Sequence, residues 1–200
     1  MQRYNASITR EPFLFYEMHI TAGLMAAGLS EKAAVGEIVS HNLFQYPTER
    51  SIAGRARACV RRLSGMDDPG LVAFIGGSVS LEARQAALYA WMVESRLVRE
   101  FMLLLIGRKY KMGDYTFSLA DVSAFFFDLQ EQNDQAASWS ESTIKKIRQV
   151  LVKTLTATGY LDNTKAERLQ QVWLTPFVKK HILAHGHSDF LPAFHCSEEE

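Results

Sequence analysis

The stretch "TERSIAGRARACVRRL", Thr48 to Leu63, places five arginines in sixteen positions of a chain whose Lys+Arg and Asp+Glu totals are equal at 22 each. Thr48 is a good N-cap and Glu49 sits in the first turn, where a negative charge suits the helix dipole, so the stretch is predicted to be a helix. At 3.6 residues per turn, Ile52, Ala56, Cys59, Val60 and Leu63 fall on one side and should face a core. Arg50, Arg57 and Arg61 then line one flank of the outer face and Arg55 and Arg62 the other, with small Ser51, Gly54 and Ala58 between them. A block of one sign repels itself unless an anion meets it, so this helix is a candidate nucleic-acid surface. The competing assignment is a solvated face whose arginines pair with nearby acids such as Glu31, Glu37, Asp67 and Asp68.

Upstream, Glu11 to Ala27 has helical spacing, Gly28 supplies a stop, and Ser30 caps "SEKAAVGEIVSHN", whose Ala33, Ala34, Ile38 and His41 form an inward stripe. With the arginine helix this makes a helix-turn-helix outline over residues 1–78. Downstream, "LVAFIGG" is a short apolar helix. Leu81 to Tyr110 meets no Pro and no Gly before Gly107, so one long central helix is expected as a spine over 79–116. Its Leu88, Trp91, Met92, Ser95, Leu97, Val98, Phe101, Met102 and Leu105 cover more than a single stripe.

A second lobe is expected over 117–200. "LADVSAFFFDLQEQ" presents Val122, Phe125, Phe126 and Leu129 as a core face, and "NDQAAS" is a turn or one tight helix. "WSESTIKKIRQVLVKTLTATG" follows, with Ser138 and Glu141 at capping-box spacing. On that helix Ile144, Ile147, Leu151 and Leu155 point inward, while Ser142, Lys145, Lys146, Gln149 and Lys153 share the outer side. "YLD" and "QQVWLTP" flank "NTKAER" as a β-hairpin, which would make this lobe winged and let Lys165 and Arg168 touch a phosphate backbone or minor groove. Pro176 to Ala184 is the last helix, and "SEEE" at Ser197–Glu200 a loose end. The fold class expected is therefore mainly α: two helix-turn-helix-like lobes, the C-terminal one winged with a small β-hairpin, joined by a long central helix.

Other chemistries find little support in the residues. Cys59 and Cys196 form no C-x-x-C, which argues against a disulfide framework and suits a reducing cytoplasm. The N-terminus lacks an apolar signal-peptide core, and "FMLLLIG" falls short of the ~20 residues a membrane span needs. His181, His185, His187, His195 and Cys196 cluster near the end, yet H-E-x-x-H is absent and no metal or other cofactor is expected. His19 and His41 fit ordinary interior or turn positions. G-x-S-x-G, a Walker loop and a G-x-G-x-x-G opening a helix after a strand are all absent, so enzymatic activity is not expected.

"YNASIT" near the start, "GLS" before the second helix, "GDYTFSLADVSAFFF" and above all "WSESTIKKIRQVLVKTLTATGYL" resemble the BrxA family of the bacterial BREX phage-defence systems. The likeness runs from Tyr4 to about Leu174 and leaves the histidine-rich tail unmatched. The resemblance implies a non-enzymatic, cytoplasmic, mainly helical protein with helix-turn-helix or winged-helix lobes that binds double-stranded DNA. It also implies other BREX proteins as partners, among them a methyltransferase and ATPases. The family has no defined contact motif, so the DNA-binding candidates Arg50, Arg55, Arg57, Arg61, Arg62, Ser142, Lys145, Lys146, Gln149, Lys153, Lys165 and Arg168 rest on helix phasing. The alternatives are a helical protein–protein scaffold and an RNA-binding helical module.

Overall fold

The computed structural model describes residues 4–198, and the chain is mainly helical within them. Glu199 and Glu200, half of the expected loose end, lie outside the described residues. The chain groups into two compact units, one from Phe13 to Glu94 and one combining residues up to Pro12 with Ser95 onward.

In the Phe13–Glu94 unit, α1 (Phe15–Ala26) begins later than its spacing suggests, because Leu14 takes a left-handed conformation at φ 55°. The interruption has a use: the carbonyl of Phe13 is left outside the helix and accepts from Arg62. Ser30 caps α2 (Glu31–Ser40), accepting from the backbone N–H of Ala33. Of its expected stripe, Ala34 and Ile38 are buried, while Ala33 and His41 are exposed. Thr48 caps α3 (Glu49–Gly65) through the N–H of Ser51, and α3 packs on α1, α2 and α5 (Leu81–Glu94).

Between them in sequence, α4 (Pro69–Gly77) starts with Asp68 as its cap and Pro69 in its first turn, and it lies along α1. The two backbones nearly touch: a Cβ on Gly76 would stand 2.5 Å from the amide nitrogen of Gly23. No rotamer change relieves a clash with backbone, so Gly76→Ala should destabilise this unit by about 1–3 kcal/mol. Gly77→Ala, whose added methyl meets nothing within 4 Å, should stay within about 0.5 kcal/mol when both variants are titrated with urea.

The long central helix does not form. At Ser95 the backbone turns extended (φ −112°, ψ 110°), and the serine side chain accepts from the N–H of Val98 to start α6 (Arg96–Glu100). Serine supplied its own cap where Pro and Gly signals were missing, so the chain breaks where α5 ends and the second unit resumes. A π-helical turn (Phe101–Gly107) and α7 (Arg108–Lys111) follow.

In the second unit Tyr4 donates to the Glu100 carboxylate, and Arg96 pairs with Glu100 at 2.7 Å while lying 4.1 Å over the Tyr4 ring. This fastens the start of the chain to α6. Ser118 and Asp121 form a reciprocal capping box on α8 (Leu119–Gln132). The one-turn α9 (Asp134–Ala137) leads to α10 (Glu141–Ala157), whose cap is Ser140 and not Ser138.

The expected wing is also absent: among the described residues the segment after α10 contains no β-hairpin. Glu167 to Leu169 instead meets residues 115–117 in a single antiparallel bridge, Thr116 with Arg168, flanked by Phe117 N–H to Glu167 O (2.9 Å) and Leu169 N–H to Tyr115 O (2.8 Å). The polar stretch does turn, with Asn163 accepting from the N–H of Lys165 through its side chain and from that of Ala166 through its carbonyl, and Gln170 N–H reaches Tyr160 O at 2.9 Å. No ladder grows from that one bond, because residues 167–169 are taken up by the bridge to 115–117. Past this turn come α11 (Pro176–Ala184) and a 3-10 turn, Ser188–Phe194, that buries Phe190, Leu191, Ala193 and Phe194.

Candidate nucleic-acid interface

The two rails of arginine expected on α3 are not equivalent. Arg50, Arg57 and Arg61 are exposed along one ridge, but the opposite flank is turned into the protein. Arg62 is only 1% exposed. Its guanidinium lies 4.5 Å over the Trp91 ring, donates to the Phe13 carbonyl at 3.0 Å and approaches Glu94 at 3.9 Å. Ala58, expected in the exposed strip, is fully buried on the same flank. Placing Arg62 on the outer face was therefore wrong, because α5 covers a side of α3 that phasing against one apolar stripe leaves open.

Arg55 is half-buried, with its guanidinium 3.9 Å above the Tyr46 ring. Tyr46 is itself held: Asn42 clasps its backbone from both sides, and its hydroxyl donates to buried Glu17. Burial, then the bond to Glu17, push that hydroxyl up to about 12, so it stays a donor at neutral pH. The Arg55 charge is thus spread over an aromatic face.

Arg61 donates from Nε to Glu94 at 2.8 Å with its side chain 48% exposed, so Glu94 bridges Arg61 and Arg62. With its arginine end half exposed and Glu94 17% exposed, the pair contributes on the order of 1 kcal/mol, little enough for a phosphate to compete with it. Arg50 and Arg57 project into solvent. The face α3 offers is a single ridge of three guanidinium groups.

The second candidate keeps the phase expected of it. On α10, Ile144, Ile147, Leu151 and Leu155 are buried and Ser142, Lys145, Lys146, Gln149 and Lys153 are all exposed. None of the three lysines makes an ion pair among the described residues. Over about three helical turns the helix therefore presents ammonium groups and amide or hydroxyl donors with no carboxylate bound to them. Arg148, which the sequence reading passed over, is half-buried with its guanidinium 5.6 Å over the Phe126 ring. An inward Phe at helical spacing in α8 was the available signal for it. Lys165 and Arg168 are exposed on the turn after α10, Arg168 at 5.8 Å from the Tyr115 ring centre.

The histidines separate into aromatic contacts. His181 lies against Phe177 at 4.4 Å, His187 stacks on Phe190 at 4.8 Å, and His195 Nε2 is 3.0 Å from the Tyr115 hydroxyl. Among the described residues no three His, Cys, Asp or Glu side chains stand together in a way that could hold a metal ion, and no helix is long and apolar enough to cross a membrane.

The comparisons extend over nearly the whole chain. Over 96% of this chain and 98% of the other, the fold matches the crystal structure of an uncharacterized protein from Magnetospirillum magneticum, with a TM-score of 0.79 at 22% identity. The BREX protein BrxA of Bacillus cereus (strain H3081.97) is 33% identical over 186 residues, 92% of each chain. That of Escherichia coli O9:H4 (strain HS) is 26% identical over 181 residues, 90% of this chain and 84% of its own. The family model BrxA matches residues 2–186, which include α3, α10 and the turn that follows it. This chain belongs to the BrxA family.

Proposed function

We propose that the protein is a non-enzymatic, double-stranded-DNA-binding accessory protein of a BREX phage-defence system, working in the cytoplasm alongside other BREX proteins. The observation that carries this reading is the outward face of α10, where Lys145, Lys146 and Lys153 stand exposed beside Ser142 and Gln149 with no ion pair among the described residues. A helix bearing unneutralised ammonium groups on one side suits a rod of phosphates, and Lys165 and Arg168 extend that charge past its end. The Arg50, Arg57 and Arg61 ridge of α3 is a second, smaller contact, preceded by α2 and the turn at 41–48 in a helix-turn-helix order. Relatives that are BREX proteins support the system assigned.

Lysine ammonium groups position a protein on phosphates without reading bases, so the binding is largely independent of sequence. Gln149 is the α10 side chain able to pair bidentately with an adenine edge, and one such contact gives only modest discrimination. Fluorescence-anisotropy titrations against duplex DNA and duplex RNA of equal length, over a salt series, test the reading. With about four phosphates neutralised, log affinity for duplex DNA should fall against log salt with a slope of about −3.6. Tighter binding of duplex RNA than of duplex DNA would favour an RNA module, and binding of neither would remove the proposal.

A further inference from the structure

From Met112 to Ile144 the chain contains no Lys, Arg or His and six carboxylates, although the whole chain is electrically balanced. Two of the six are engaged: Asp114 and Asp121 lie 2.8 and 3.4 Å from Lys109 Nζ. Asp128, Glu131, Asp134 and Glu141 are exposed. The same segment carries an apolar surface that this unit leaves uncovered. On α8, Val122, Phe126 and Leu129 are buried, and Phe125 turns inward to meet Phe101 edge-on at 5.5 Å. Phe127 points the other way and is 61% exposed. At 100° per residue it shares an arc of about 60° with Ala120 and Ala124, both also exposed. Leu119, 64% exposed, extends the surface at the start of the helix. The spacing 120, 124, 127 forms a shallow trough of two alanines beside an aromatic ridge, with Asp128 and Glu131 along it.

We infer that this face of α8 is a docking surface for a basic amphipathic helix of a protein partner, whose apolar stripe fills the Ala120–Ala124 trough against Phe127 while flanking Lys or Arg side chains meet Asp128 and Glu131. Charge selects the occupant. The charged side chains along the trough, Asp128 and Glu131, are both carboxylates and repel a polyanion, which disfavours nucleic acid there, and a helix with apolar residues at i, i+3, i+4 and i+7 matches the trough. Phe127 supplies the large, rigid aromatic anchor around which such interfaces concentrate their binding energy. The protein would then hold two partners of opposite charge through separate helices of one unit, DNA on α10 and a protein on α8.

The test places the photo-cross-linking residue p-benzoylphenylalanine at position 127 of the full chain, expressed from its own defence locus, and maps the cross-linked peptide by mass spectrometry. The expected product is a single protein joined through a segment with that apolar spacing and flanking Lys or Arg. Asp128→Lys with Glu131→Lys, both at exposed positions, should lower the adduct yield by about tenfold or more, with the circular dichroism spectrum unchanged. Duplex affinity of the same double variant is measured in parallel, so failed docking is read separately from failed DNA binding. Absence of an adduct, an adduct with DNA or with a second copy of this chain, a partner segment lacking flanking cations, or a yield indifferent to the charge reversal would each overturn the inference.

Discussion

Arg62→Ala is expected to destabilise the Phe13–Glu94 unit by about 2–5 kcal/mol, because it leaves the Phe13 carbonyl without its donor and a cavity against Trp91, while Glu94 keeps Arg61. Three contacts disappear together: the bond to the Phe13 carbonyl, the stack on Trp91 and the approach to Glu94. The Phe13 carbonyl matters most for local structure, since it lies outside α1 where the chain is interrupted at Leu14. Arg57→Ala, on the exposed ridge of the same helix, should change stability by no more than about 0.5 kcal/mol. Urea denaturation followed by circular dichroism separates the two. Equal effects would mean that Arg62 is solvated and that its assignment to the core is mistaken.

The second large effect concerns DNA. At about 0.15 M salt, release of about 0.9 counterion per phosphate contact contributes a factor of about five to affinity. Replacing Lys145, Lys146 and Lys153 with alanine should therefore weaken duplex binding by about a hundredfold and reduce the magnitude of the salt slope by about 2.7. The same arithmetic caps the pair Arg50→Ala and Arg57→Ala at about thirtyfold. Ranking the two sets by anisotropy titration decides which helix leads. A greater loss from the arginine pair would transfer the principal contact to α3.

The outward face of α10 was legible in the sequence because its inward residues bury against one side, so the 3.6-residue period assigns Lys145, Lys146, Gln149 and Lys153 without ambiguity. On α3 the same method failed for Arg62 and only half-succeeded for Arg55. That helix is packed by α1, α2 and α5 together, and a period fixes directions about an axis without saying how many neighbours surround it. Arginine adds to the difficulty, since its planar cation can stack on Trp91 or Tyr46 and enter a core that lysine would avoid.

The central break at Ser95 was hidden for a different reason. Serine reads as a tolerable helix residue until its own side chain caps the following turn, and no Gly or Pro marked the site. The wing was a propensity error: Tyr160–Asp162 and Gln170–Leu174 have β-prone residues and share the bond from Gln170 N–H to Tyr160 O, but the bridge next to it forms with Thr116 and no ladder follows. Pairing at such sequence separation leaves no local signal.

Lysine footprinting on the full chain tests most directly whether the outward face of α10 sits on duplex DNA. Reductive methylation with and without saturating duplex, read by mass spectrometry, should show Lys145, Lys146 and Lys153 protected by DNA while exposed Lys32 and Lys180 react as before. Equal modification of those three lysines in the free and DNA-saturated protein would contradict the account.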